Sequence, residues 1–235
     1  MSAYDRIKKE CYDCNLLLPR HHLIDLTFGN VSVIDRTTGV FAIKPSGVDY
    51  QNMSIEDVVV VDLEGKVVEG RLNPSSDMPT HRRIFQAFRE TGAIVHTHSR
   101  YATVFAQAGK PIPCLGTTHA DYFHGDIPIT RPMTPAEIEG AYEWETGNVI
   151  VERFQNIAPT EVGAALVYQH GPFVWGPTGA KAVENARVLE IVAEMAYRAM
   201  ALNPDSRPLS QFLLDRHFKR KHGSKSYYGQ TALNQ

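Results

Sequence analysis

Ala93-Ile94-Val95-His96-Thr97-His98-Ser99-Arg100 is the stretch whose reading orders the rest of the chain. Its first three residues are an apolar run of the kind that builds a buried strand. Side chains two apart on a strand share a face, so His96 and His98 are expected side by side where the strand ends. Two neighbouring imidazoles are half of a metal site. With ten histidines in 235 residues, one His-x-His pair says little alone, and its meaning rests on what the flanking chain supplies.

Before it, apolar residues at helical spacing (Ile7, Cys11, Cys14, Leu18) predict an amphipathic helix over 4–18 that stops at Pro19. Short β-like runs at 23–28, 31–35, 40–43 and 58–63 follow, separated by Gly29-Asn30, Thr38-Gly39 and Pro45-Ser46-Gly47. Glu64-Gly65-Lys66 reads as a turn into Val67-Val68. Residues 73–79 read as a loop entering a helix near 80–89, with Pro79 in its first turn. After the central strand come a helix over 101–108 and an irregular segment, 111–132, dense in Pro, Gly, Thr and His, as long functional loops are. Thr134-Pro135-Ala136-Glu137 carries a capping box and opens another helix. Strands are expected at 163–168 and 173–175, paired with each other, then a long helix over 178–200, a short one over 210–219 and a tail with little to bury. The predicted class is α/β: one domain over 1–235 with a mixed, largely antiparallel sheet and helices on both faces.

Composition narrows the function. The chain is 43% hydrophobic and 21% charged, and its 24 basic and 26 acidic residues give a net charge of −2, so no global basic field draws nucleic acid or acidic lipid. No apolar run reaches membrane-spanning or signal-peptide length, and the expected location is the cytoplasm. Three cysteines, Cys11, Cys14 and Cys114, do not make a disulfide framework; Cys11-x-x-Cys14 lacks the second pair of a zinc site and reads as reduced thiols on a helix.

His170, like the central pair, sits where an apolar run meets a glycine turn. Three histidines at strand ends could converge on one tetrahedral Zn²⁺ with its fourth position open, or each could be an isolated imidazole satisfied by backbone. Asp77 is either a charge favourable to a helix N-terminus or an acid/base group, and Asp121 either a solvated loop carboxylate or the same. Three polar loops, Gly29-Asn30, Lys44-Pro45-Ser46-Gly47 and Pro74-Ser75-Ser76, offer hydroxyls, free N–H groups and one Lys, which suit a phosphate dianion and also suit ordinary turns.

The order of these motifs is specific. Gly29-Asn30-Val31-Ser32, Lys44-Pro45-Ser46-Gly47-Val48, Pro74-Ser75-Ser76-Asp77, His96-Thr97-His98-Ser99, Gly116-Thr117-Thr118-His119-Ala120-Asp121, His170-Gly171-Pro172-Phe173 and Arg220-Lys221-His222-Gly223 followed by Tyr227-Tyr228-Gly229-Gln230 together resemble the L-ribulose-5-phosphate 4-epimerases. That family lies within the class II (zinc) aldolase superfamily, beside the fuculose- and rhamnulose-phosphate aldolases, and the resemblance implies its three-layer fold. It also implies His96, His98 and His170 as zinc ligands, with Asp77 where the aldolases hold a metal-binding, base-acting glutamate. Gly29, Asn30, Lys44, Ser46, Gly47, Ser75 and Ser76 are implied as substrate and phosphate contacts. Asp121 and Tyr228 match the acid/base pair, with Tyr228 reaching a neighbouring subunit of a homotetramer on the tail, about 220–235. Thr117, Glu143, His217 and Arg220 match supporting polar residues.

The reaction so implied interconverts L-ribulose 5-phosphate and D-xylulose 5-phosphate by retro-aldol cleavage of C3–C4, rotation of glycolaldehyde phosphate and re-addition. It would serve arabinose or ascorbate breakdown, with Zn²⁺, or Mn²⁺ or Co²⁺ in its place, as Lewis acid. The alternatives are a class II sugar-phosphate aldolase and a non-catalytic, adducin-like scaffold. The expected partner is a small sugar phosphate, with neither nucleic acid nor membrane.

Overall fold

The computed structural model describes residues 2–222; the expectation for Tyr228, and for the tail after His222, lies outside the described residues. Alternation along β1 (Gly29–Asp35) sorts the molecule into layers. β1 sits at the centre of a seven-stranded sheet with β2 (Val40–Ile43), β3 (Val59–Asp62), β4 (Val67–Glu69), β5 (Ala93–Thr97), β6 (Ala164–Leu166) and β7 (Pro172–Gly176), in the order β4-β3-β2-β1-β5-β7-β6. Every neighbouring pair is antiparallel. The helices are α1 (Asp5–Arg20), α2 (Met78–Ala87), α3 (Arg100–Gln107), α4 (Thr117–Ala120), α5 (Pro135–Glu139), α6 (Tyr142–Arg153), α7 (Gly179–Leu202) and α8 (Gln211–His222). α1 and α7 cover one face of the sheet. On the other, His81 of α2 meets Ser32, and Phe88 and Phe154, at the ends of α2 and α6, close on Trp175. None of these helices is long and apolar enough to cross a membrane.

Two local details show how the layers lock. Ile7, Cys11, Cys14 and Leu18 are all buried, and the three cysteines are free. Between them Asn15, fully buried, accepts from Val31 N–H (2.9 Å) and donates to Val31 O (3.0 Å). Its amide thus pairs with the backbone as a strand residue would, where β2 has already ended. Thr134 caps α5 through the expected capping box with Glu137.

The elements depart from the sequence reading in five places. Residues 23–28 form no strand: Leu26 is 80% exposed at φ 54°, Phe28 is 52% exposed, Leu23 is buried in the core and Ile24 packs partly buried against it. Gly29-Asn30, expected as punctuation, begins β1 instead. Pro19 does not stop α1, because a proline in the last turn forfeits one hydrogen bond without ending the coil. Inside the irregular segment lies α4, and the helix opened by Thr134 breaks at Gly140 before α6 begins.

α8 is held to the body by His124. Nδ1 of this imidazole lies 3.0 Å from Glu161 and Nε2 2.8 Å from Asp215 on α8, and the ring stacks on Phe218 at 4.7 Å. Two ionised carboxylates only accept, so both ring nitrogens must donate and the ring is imidazolium. Burial disfavours that charge, but the carboxylates outweigh it and hold the pKa above the ordinary imidazole value. A raised folded-state pKa contributes stability that is complete below the unfolded value, about 6.5, and is lost as pH rises through the folded one. The melting temperature of wild type should therefore exceed that of His124→Gln by about 1–3 °C at pH 6, with the gap closing as pH rises through the raised folded-state value. A pH-independent gap would refute the imidazolium clamp.

Candidate functional site

Antiparallel pairing sets Asn30 of β1 opposite His96 of β5, and His96 opposite Phe173 of β7, so these three side chains form one row across the sheet. Phe173 stacks flat on His96, with centroids 4.1 Å apart and 13° between planes. His98 follows β5 directly, and His170 sits in the turn from β6 to β7, where Gly171 allows a close approach. A Cβ at Gly171 would lie 2.9 Å from Thr97 O and 3.3 Å from His98 Cδ2. One ligand atom from each of His96, His98 and His170 lies within 4.8 Å of the others.

The donor set suits a divalent cation. Nδ1 of His96 is 3.0 Å from Pro172 O, which leaves Nε2 for coordination, and Nδ1 of His170 is buried with no hydrogen-bond partner among the described residues. Burial and the neighbouring imidazoles push His170 down to about 3, and His98 is lowered by the same causes. Neutral imidazoles are what a metal requires. Asp77 lies outside this compact set: its Oδ2 accepts from Asn30 Nδ2 (2.7 Å) and Ser75 Oγ (3.4 Å). Although burial opposes its charge, His96, His81, the Asn30 bond and His170 keep its carboxyl below the usual range.

The polar loops meet the histidines in one cavity of about 320 Å³. Backbone bonds from Ser46 N to Asn73 O (3.0 Å) and from Ser75 N to Lys44 O (2.9 Å) stitch two of the loops together. Gly47 turns at φ +68°, where a side chain would be strained. Lys44 is buried, its Nζ donating to Val48 O and Pro45 O and lying 4.8 Å over the Tyr50 ring. Burial lowers its pKa. Tyr50 in turn donates to Gly29 O at 2.6 Å. Gly29, Asn30, Lys44, Ser46, Gly47, Ser75, Ser76, Asp77, His96, His98 and His170 all line this cavity, the size and polarity of which fit a small anionic ligand.

Asp121 is elsewhere. It follows α4 and faces α8, where Arg220 donates to both carboxylate oxygens (Nε 3.0 Å, Nη2 2.6 Å), His217 lies at 3.0 Å and Lys221 at 3.8 Å. Burial opposes its charge, yet these cations hold the carboxyl below its ordinary value. The cavity beside Asp121 is lined by Tyr122, Lys181, Glu184, Lys221 and His222 and, among the described residues, shares none with the histidine cavity. Thr117 opens α4 and is exposed, its carbonyl accepting from Asp121 N–H. Glu143 sits on α6 with its carbonyl bound by Thr80, next to Tyr142.

Three aromatic or imidazole groups at the site escape a reading of the sequence. Phe28 stacks on His98 at 6.1 Å, Tyr142 comes within 6.4 Å of His170, and His81 packs its edge on Phe173 at 5.8 Å. Only His81 leaves a signal, being four residues from Asp77 and so on the same helix face once α2 starts at Met78.

Comparison with known proteins places these observations. Residues 9–197 match the family profile described as Class II Aldolase and Adducin N-terminal domain. The chain is 52% identical over 225 residues to "L-ribulose-5-phosphate 4-epimerase UlaF" of Salmonella paratyphi A and to the same-named protein of Salmonella typhi, covering 96% of this chain and 99% of each relative. Among solved structures, "L-fuculose 1-phosphate aldolase" superposes with a TM-score of 0.78 at 26% identity, over 94% of this chain and 97% of that one. The L-fuculose-1-phosphate aldolase of Thermus thermophilus gives 0.68 at 25% identity, over 87% and 99%.

Proposed function

The chain belongs to the class II aldolase and adducin N-terminal domain family, and from that membership we propose that it is a metal-dependent epimerase interconverting L-ribulose 5-phosphate and D-xylulose 5-phosphate. The observation that carries this reading is the single cavity in which the three-histidine set faces the hydroxyl- and amide-lined loops. It is supported by near full-length relatives that bear the epimerase name. His96, His98 and His170 would hold the cation, with Asp77 beside them. When bound, Zn²⁺, or Mn²⁺ or Co²⁺, supplies Lewis-acid polarisation of a substrate carbonyl.

The other steps belong to the protein's own groups. Ser46, Gly47, Ser75 and Ser76 present hydroxyls and N–H groups to the phosphate, the N-terminus of α2 adds its dipole, and Lys44 adds charge. Anchoring by phosphate keeps the two-carbon fragment in place after the C3–C4 bond breaks, so that it can turn its carbonyl and re-add from the other face. One group must take the C4 hydroxyl proton and another return it on the opposite side. Asp121, anionic at neutral pH, and Tyr228 are assigned these parts, with Thr117, Glu143, His217 and Arg220 around them.

Because Asp121 faces α8 and not the histidines of its own chain, the acid/base groups are assigned to a neighbouring copy in a homotetramer, with the tail of about 220–235 reaching across. Co-refolded mixtures of His98→Ala and Asp121→Asn, each inactive alone, should then recover up to about a quarter of wild-type activity. No recovery would refute shared sites.

The main test is direct: metal-loaded protein given L-ribulose 5-phosphate should form D-xylulose 5-phosphate in a coupled assay. The likeness to L-fuculose 1-phosphate aldolase favours a second reading, aldol cleavage. Net release of dihydroxyacetone phosphate and an aldehyde from a sugar 1-phosphate, without epimerisation of L-ribulose 5-phosphate, would select it. Absence of stoichiometric metal together with absence of turnover would select the adducin-like scaffold.

A further inference from the structure

Beneath the histidine cavity lies an imidazole that the proposed reaction does not use. Asp77 and His81 share one face of α2, and that face lies over the row Asn30, His96, Phe173. Asp77 closes on one end of the row, its Oδ2 2.7 Å from Asn30 Nδ2. His81 closes on the other, its edge on Phe173 at 5.8 Å and 70°, and Phe173 is the ring stacked flat on His96.

His81 is fully buried. Its Nδ1 lies 2.6 Å from Ser32 Oγ, two residues along β1 from Asn30 and so on the same face, while its Nε2 has no hydrogen-bond partner among the described residues. A buried ring nitrogen without a partner is destabilising, and a phenyl of similar shape would avoid that cost. Packing alone therefore does not account for histidine here; the bond to Ser32 does. That bond ties the first turn of α2 to β1 at the point where Asp77 and Asn30 meet.

We propose that His81 is a positioning residue for the metal centre: bonded to Ser32, it sets where the first turn of α2 rests on β1, and so holds Asp77 on Asn30 and Phe173 against the face of His96. The proposal rests on the three histidines being a metal centre and is independent of which sugar phosphate is turned over.

The test is metal affinity by chelator competition and the visible absorption spectrum of the Co²⁺-loaded full chain, with thermal melting of the metal-free protein as the folding control. His81→Phe and Ser32→Ala should each weaken Co²⁺ binding by about 10–100-fold and alter the Co²⁺ bands. The double variant should be no worse than the poorer single, because both substitutions remove one bond. His81→Gln, which keeps a side-chain donor and acceptor, should recover part of the affinity. Should His81→Phe fail to fold, Ser32→Ala carries the same comparison. Wild-type affinity and spectrum in folded His81→Phe or Ser32→Ala, or additive losses in the double variant, would overturn the proposal while leaving the metal centre intact. A wild-type protein that binds no Co²⁺ would instead sink the metal centre, and this role with it.

Discussion

His98→Ala should leave the protein folded, strip it of metal and lower kcat by roughly 10³-fold or more. His98 is the exposed member of the three, so its truncation leaves a ligand missing but little cavity in the core. His96 by contrast is buried against Phe173, and its removal would mix packing loss with ligand loss. Two imidazoles hold a divalent ion far less well than three, and Lewis-acid stabilisation worth several kcal/mol goes with the ion. At 1.36 kcal/mol per tenfold in rate, that is at least about three decades. Elemental analysis and turnover measured on the same preparation check it. Full metal content with full activity would mean that the histidine cluster is not the working centre.

Asp121→Asn should lower kcat by about 10²–10⁴-fold with metal content unchanged. The substitution is nearly isosteric but removes the anion that Arg220 grips with two bonds and His217 and Lys221 approach. It should therefore also lower the melting temperature at neutral pH. The sign with pH follows from the carboxyl being held below its ordinary value. Its contribution is complete above the unfolded carboxylate pKa, about 3.9, and is lost as pH falls through the lower folded value. The wild-type advantage over Asp121→Asn should shrink in acid and persist at neutral pH. Arg220→Ala separates the two roles: it weakens the same network and leaves the carboxylate. Stability loss in Asp121→Asn with wild-type kcat would reduce Asp121 to a structural anchor for α8.

Much of the layered fold is legible in the sequence because it is local. The period-two alternation that puts Ser32 and Val31 on opposite faces of β1, the apolar period of α1 and the Thr134-to-Glu137 cap are patterns a few residues long, with energies that depend on near neighbours. The run at 23–28 misleads because apolar content does not guarantee burial. Leu26 and Phe28 are exposed, and Phe28 lines the histidine cavity against His98 instead of entering the core. The break at Gly140 escapes because the capping box announces where a helix starts and says nothing of how far it runs.

The site divides along the same line. The sequence by itself determined the family, through the order of its motifs, and the residue types and spacings of a three-imidazole donor set and of three donor-rich loops. The tertiary structure alone decided which of these groups share a space. The loop residues, Asp77 and the histidines open onto one cavity, while Asp121 turns to α8, and His81 takes its place beneath His96 through Ser32 and Phe173. Spacing along a chain is written in its residues; closure between positions such as 32 and 81, or 121 and 220, depends on how the layers pack, since no local pattern carries the energy of a contact made across the fold.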